Sequence, residues 1–453
     1  MKHRTVRRGV TATSCALALA LVLVACGGDG DSTSPGSDTK NNSAACNSYK
    51  SYGDLKGKQV TVYTSIIAPE DQPFRDAYKA FEDCTGVKIV YEGSKEFEAQ
   101  LPVRIQSGNP PDLAFIPQPG LLQKLVRDTK KVKPAPQGTS TNVDKYFGED
   151  WKSYGTVDGT FYAAPLGANV KSFVWYSPKQ FQAKGYQIPQ TWEDMIALSD
   201  KIVADGGKPW CAGIGSGDAT GWPATDWIED VMLRKYGPDV YDQWVNHEIP
   251  FNDPKVADTL AEVGKILKNE KYVNGGLGDV KTIASTTFQD AGLPILQGQC
   301  FLHRMASFYQ ANWPKGTKVA EDGDVYAFYL PAMGEQFGKP VLGGGEFVAA
   351  FSDRPEVVAV QNFFSSPEWA NLKAKEGNWI SANTGLDVAS VDTAVNKLSV
   401  EILQDPKAVF RFDGSDMMPA EVGAAAFWTE MTAWIANDKA DKDVLDSIEK
   451  AWP

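Results

Sequence analysis

The feature that most constrains this chain is the rhythm of residues 58–125. Lys58-Gln59-Val60-Thr61-Val62-Tyr63 alternates with the period of a strand. Phe74, Ala77, Tyr78 and Phe81 then recur at helical spacing on one face. Residues 87–91 return to the strand pattern, and Phe97, Leu101 and Ile105 line another helix. Leu113–Ile116 is a short apolar strand ahead of a helix that begins near Leu121. Two parallel neighbours need a crossover, and a helix supplies it. The segment therefore predicts an α/β layer built on a parallel sheet.

The middle of the chain is more helical. Thr191 is a good N-cap, with Asp194 placed to complete a capping box and Met195, Leu198 and Ile202 forming the buried stripe. Strand-like runs reappear at 324–330 and 341–351, and helices at Pro355–Phe364, 419–436 and 442–451 close the chain. No internal repeat is visible. From Cys46 onward roughly 400 residues remain, more than one hydrophobic core usually organises, so two lobes are expected.

The N-terminus reads as a targeting segment. Lys2, Arg4, Arg7 and Arg8 precede an apolar run over 16–25 that stops at Cys26. That run is too short to span a bilayer, which takes about 20 apolar residues, and has the layout of a secretory signal over 1–25. Leu23-Val24-Ala25-Cys26 resembles the lipobox of bacterial lipoproteins. The resemblance implies cleavage before Cys26, lipid on its thiol, and anchoring to the outer face of the cytoplasmic membrane. Two or more acyl chains hold a protein where one gives only marginal binding. Residues 26–45, rich in Gly, Ser, Asp, Thr and Asn, are expected to act as a flexible linker.

The formal charge is −12, from 45 basic and 57 acidic residues. Such an acidic body argues against nucleic acid, whose phosphates call for a basic surface. With Cys15 in the signal and Cys26 lipidated, Cys46, Cys84, Cys211 and Cys300 remain. Three pairings are possible in an oxidising compartment. Cys46–Cys84 and Cys211–Cys300 are favoured, because the first two bracket the start of the domain and the others lie together in mid-chain. No metal is expected, since no pair has close ligand spacing and only His247 and His303 survive processing.

Catalytic chemistry finds no residues to stand on. His247 has no obvious triad partner, and residues 213–221 are glycine-rich without a phosphate-binding spacing. Nothing singles out a carboxylate pair, and no cofactor motif is present. Aromatic–acid clusters are the stronger signal: Trp222-Pro223-Ala224-Thr225-Asp226-Trp227, Gly343-Gly344-Gly345-Glu346-Phe347, and Phe412-Asp413-Gly414-Ser415-Asp416 running on to Phe427-Trp428. A sugar presents apolar C–H faces and a rim of hydroxyls. It calls for a flat aromatic platform with carboxylate, amide and guanidinium groups around it.

Several ordered motifs then resemble the extracellular solute-binding proteins of bacterial carbohydrate importers driven by an ATP-binding cassette. Arg104-Ile105-Gln106-Ser107-Gly108-Asn109-Pro110-Pro111-Asp112-Leu113 is similar to the family segment that precedes a strand. Tyr162-Ala163-Ala164-Pro165-Leu166 with Val174-Trp175-Tyr176-Ser177 looks like its first crossing between lobes. Pro189-Gln190-Thr191-Trp192-Glu193-Asp194 and Ala426-Phe427-Trp428-Thr429 resemble two of its helix starts. Segments 209–227, 115–122 and 410–419 look most like its alpha-glucoside-binding branch.

The resemblance implies a two-lobed periplasmic-binding-protein type II fold, each lobe a mixed sheet flanked by helices, with a ligand cleft between. Lobe one would be about 56–165 plus 315–380, and lobe two about 170–312 plus 385–453, with hinge crossings near 167, 313 and 382. The implied ligand is of the maltose, trehalose or sucrose type, handed by a monomer to membrane permease subunits. Trp428 is carried over as the stacking platform, and Gln118, Glu96 and Asn169 as cleft-facing residues. Trp222, Asp226, Glu346, Asp413 and Asp416 follow from the clusters and the branch likeness. Arg304 is expected on a strand entering the cleft, with a structural ion pair as its other reading. A secreted glycoside-processing enzyme or a sugar-sensing lipoprotein are the alternative functions.

Overall fold

The computed structural model describes residues 46–391 and 393–453. The signal, Cys26 and the 27–45 linker lie outside the described residues. Strands are numbered in chain order. The first sheet contains β1 (Gln59–Thr64), β2 (Lys88–Gly93), β3 (Leu113–Ile116), β6 (Ala163–Pro165) and β14 (Phe347–Ala350), in the order β2-β1-β3-β14-β6. Between β3 and β6 lies a small hairpin of β4 (Thr156–Val157) and β5 (Thr160–Phe161). Strand β1 is parallel to both β2 and β3, as the alternating pattern predicts. The return strand β14 runs antiparallel to β3 and β6.

Alternate residues of this sheet feed two separate cores, which explains the burial of both faces. Val60, Val62, Leu113, Phe115 and Val348 join Phe74, Phe81 and Phe363 on one face. Tyr63, Ala114, Ile116, Phe347 and Ala349 join Phe97, Leu101 and Leu122 on the other.

The second sheet contains β8 (Phe173–Tyr176), β9 (Trp210–Cys211), β10 (Val273–Asn274), β11 (Leu302–Arg304) and β12 (Tyr326–Tyr329), in the order β10-β9-β11-β8-β12. Strand β12 falls in the segment 315–380 that was assigned to lobe one, yet it pairs with β8. The cause is local: Tyr326, Ala327 and Phe328 are buried with Trp175 and Tyr176 in the core of this sheet. The helix Trp192–Ala204 carries the predicted capping box of Thr191 and Asp194. A third sheet, β7 (Asn169–Val170), β13 (Lys339–Gly344) and β15 (Ala408–Phe412), lies in the order β15-β13-β7.

Cys211 and Cys300 form a disulfide with Cα atoms 5.5 Å apart. Cys46 and Cys84 are disulfide-bonded as well. No helix among the described residues is long and apolar enough to cross a membrane.

Where one helix is predicted over 419–436, the chain instead makes a π-helical turn, Val422–Phe427, before the α-helix Trp428–Ala436. Gly423 permits this course, because a Cβ there would lie 1.8 Å from the Ser415 carbonyl oxygen.

Candidate functional site

In open α/β sheets ligands bind outside the carboxyl ends of the strands, and this chain opens a cleft there. Ile66, Ile67 and Glu70 follow β1, Glu98 follows β2, and Gln118 follows β3. The opposite wall comes from Trp222, Phe288, Phe308 and Trp428. The third sheet supplies the floor. Asn169 pairs with Gly344 across β7 and β13, and the Asp413 N–H donates to Gly343 O at 2.8 Å. Asn169, Glu346, Asp413 and Asp416 all reach the cleft from this floor.

The aromatic wall is set by close backbone approach. Gly221 precedes the helix Trp222–Val245 at φ 118°, and a Cβ there would meet Trp428 O at 2.2 Å. Only glycine lets the two tryptophan-bearing segments come this near. Trp222 packs edge-on to Phe288, with centroids 5.0 Å apart, and tilts against Phe308 at 6.1 Å. Across the mouth, the Ala99 N–H donates to Asp218 Oδ2 at 2.8 Å, joining the start of helix Phe97–Gln106 to the loop after β9.

Several buried polar atoms on these walls lack a protein partner: Gln118 Oε1, Asn169 Oδ1, Trp379 Nε1 and Trp428 Nε1. Buried polar groups are nearly always hydrogen-bonded, so a cluster of orphans lining one cleft marks a place where a polar ligand completes them.

Of the residues singled out from sequence, Trp428, Trp222, Glu346, Asp413, Asp416, Gln118 and Asn169 line the cleft. Glu96 does not. It is exposed at the N-cap of Phe97–Gln106, and two residues on, Glu98 takes the cleft position and accepts from Gln118 Nε2 at 3.0 Å. A helix start turns a neighbour two residues away to a different face.

Asp226 and Arg304 lie one layer behind the cleft. Arg304 bonds Asp226 at 2.9 Å through Nη1 and Asp230 at 3.1 Å through Nε, which is the ion-pair reading of that residue. Asp230 also bonds Arg234 and accepts from Ser172 Oγ at 2.7 Å. Asp226, Asp230 and Arg234 share one helix face because they recur every four residues.

Lys171 connects this buried ladder to the cleft. Its Nζ lies 3.0 Å from Asp226 Oδ1, bonds Asp413 Oδ2, and sits 5.3 Å from the Trp222 ring centroid. Burial works against its charge, but Asp226 and Asp413 hold its pKa well above the lysine range. Burial likewise opposes ionisation of Asp413, yet Lys171 brings its carboxyl down to about 2. Asp416 is pushed well up by burial and by the charge of Asp413.

Further cleft groups escaped the sequence reading: Glu70, Lys171, Phe288, Phe308, Lys373 and Trp379. None sits in an aromatic–acid cluster; the fold brings them in from distant segments. Burial raises Glu70, Glu98 and Glu346 each to about 7.

The family model described as bacterial extracellular solute-binding protein matches residues 65–371. This chain belongs to that family. Solute-binding proteins at 39% and 38% identity match nearly its whole length. One is the osmoprotective compounds-binding protein GgtB of Synechocystis sp., covering 88% of this chain and 94% of the relative. The other is the alpha-glucosides-binding periplasmic protein AglE of Rhizobium meliloti, covering 92% of each.

Among solved structures, the bacterial solute receptor AcbH superposes with a TM-score of 0.73 at 22% identity, over 87% of this chain and 98% of that one. Maltose-bound MalE3 of T. maritima gives 0.68 at 16%, over 87% and 98%. The fold is therefore the two-lobed solute-binding architecture, a mixed α/β chain with helices flanking its sheets. As a solute-binding protein of this extracellular family, the chain captures substrate for an importer.

Proposed function

We propose that this solute-binding protein captures an alpha-glucoside, of the maltose, trehalose or sucrose type, and delivers it to the permease subunits of an ATP-binding-cassette importer. The observation that carries the reading is the set of orphaned polar atoms around an aromatic cleft. Tryptophan faces take the C–H side of a sugar ring, and amides and carboxylates take its hydroxyls. The printed name of the AglE relative supports the same ligand class. Trp428 and Trp222 are assigned as platforms, and Gln118, Asn169, Glu346, Asp413 and Asp416 as hydroxyl partners. Asp226 and Arg304 hold Lys171 and the floor in place behind them.

In this reading the lobes are about 56–165 with 315–380 and about 170–312 with 385–453, with β12 joining the second sheet, and they close around the ligand by bending at crossings near 167, 313 and 382. The protein works as a monomer without catalytic turnover, tethered through lipid on Cys26 by the 26–45 linker. A thermal-shift screen tests it, using the exported chain carrying Cys26→Ser so that the result does not depend on lipid. A cognate disaccharide raises the melting point by mass action. No shift with any mono- or disaccharide refutes the ligand class, and release of free glucose from the ligand refutes the non-catalytic role.

A further inference from the structure

An aromatic cleft has two chemical uses. It stacks sugar rings, or it cages a quaternary ammonium by cation–π attraction. The name of the GgtB relative, osmoprotective compounds-binding protein, fits either kind of solute. In this cleft three of the rings already lie near internal cations. Lys171 Nζ lies 5.3 Å from the Trp222 centroid, and Lys373 Nζ lies 4.8 Å from Phe74 and 5.6 Å from Trp379.

The two lysines differ in what remains unspent. Lys171 is ion-paired to Asp226 and Asp413. Lys373 is 1% exposed and has no carboxylate within salt-bridge distance among the described residues. Its one hydrogen bond goes to Gly377 O at 3.2 Å. An ammonium carries three donors and no acceptor, so two N–H groups at the cleft wall are left for a ligand. Burying a charge in this way is costly; burial brings the Lys373 pKa down to about 7, with Glu376, Glu70 and Glu346 pulling the other way. Glu70 and Glu346 line the same cleft as acceptors. A hydroxyl that donates to a carboxyl oxygen and accepts from an ammonium fits that arrangement.

We propose that Lys373 is a specificity residue of the cleft, donating to hydroxyl oxygens of a neutral saccharide and disfavouring a cationic quaternary ammonium group beside Phe74 and Trp379. The assignment rests on the carbohydrate reading above and adds the residue that enforces it.

Titration calorimetry at pH 6 on the exported chain tests it, with maltose, trehalose, sucrose and choline as probes. The wild type is expected to bind at least one disaccharide and not choline. Lys373→Met should weaken that disaccharide at least tenfold while the ligand-free melting point holds or rises, since an apolar side chain removes a buried charge; a merely structural lysine would lower it. Lys373→Gln, which keeps a donor, should fall between the two and serves if the Met variant does not fold. Affinity within threefold of wild type in both variants overturns the assignment and leaves the carbohydrate reading standing. Wild-type binding of choline as tightly as a disaccharide overturns the exclusion. A wild type that takes none of the three disaccharides overturns the carbohydrate reading and this one with it.

Discussion

Replacing Lys171 by Met removes the cation that Asp413 touches. Asp413 Oδ1 keeps the Ser415 hydroxyl and the Asp416 N–H, both at 2.8 Å, but Oδ2 loses the ammonium. Asp226 is less exposed to the change, because Arg304 still donates to it at 2.9 Å. Breaking a buried pair by removing one partner costs about 3–5 kcal/mol, since the remaining charge is stranded. At about 2.1 cal/mol/K of unfolding entropy per residue, a body of roughly 400 residues should melt roughly 4–6 °C lower.

The sign of the pH dependence follows from Asp413. With Lys171 present its carboxyl is held to about 2. Without Lys171, burial raises it, and a proton can neutralise it in mildly acidic solution. Ligand-free Lys171→Met should therefore lose most stability at pH 8 and recover part of it at pH 5. Adding Asp413→Asn to Lys171→Met should restore part of the loss at pH 8, which a double-mutant cycle by calorimetric melting measures. If Lys171→Met melts within about 1 °C of wild type at pH 8, or loses the same amount at both pH values, the buried ion pair is not what holds the cleft floor.

Trp428→Ala should weaken disaccharide binding by about 2 kcal/mol, close to thirtyfold, with the fold intact; a change under threefold by calorimetry would remove Trp428 as the platform. Glu70, Glu98 and Glu346 sit near 7 when folded against an ordinary 4.5, so the stability they contribute is fully present below 4.5 and is lost as pH rises through 7. The ligand-free chain should therefore melt higher at pH 5 than at pH 7.5, by up to about 3 kcal/mol per carboxyl. Burial lowers His303 to about 4 and Lys373 to about 7, and both oppose this; a melting point that climbs over that interval would refute the account. Joint Cys211→Ser and Cys300→Ser opens a loop of 89 residues and should cost about 4.5 kcal/mol by chain entropy; chemical denaturation checks it. Asp226→Asn, placed behind the cleft, should lower the melting point more than it lowers ligand affinity, and the reverse order would put Asp226 in contact with ligand.

Much of the architecture was legible because it depends on local periodicity. The alternation in Gln59–Thr64 and the apolar run Leu113–Ile116 became paired parallel strands, and Thr191 capped its helix as its spacing with Asp194 required. Strand β12 pairs in the second sheet because its three buried residues pack there, a choice that only tertiary packing makes. In the site, Trp222, Glu346, Asp413, Asp416 and Trp428 were found through short aromatic–acid clusters. Lys373 and Glu70 were not, since each is one charged residue on an ordinary-looking helix or turn until 302 residues of intervening chain fold them together. Glu96 was read two positions from the residue that reaches the cleft, which is the precision that a helix start permits. Arg304 offered no sequence cue to separate ligand contact from ion pair. The four-residue spacing of Asp226, Asp230 and Arg234 was the available clue to the ladder that holds it.

Strand β14 pairs with β3 on one side and β6 on the other, yet 181 residues separate it from β6 in the chain. The first sheet therefore has a gap between β3 and β6 until residue 350 has been made. A chain made N-terminus first therefore leaves β3 with an unpaired edge while most of its length is still to come, since non-local pairing cannot form ahead of its partner. Completion of the sheet waits on a strand encoded late in the chain.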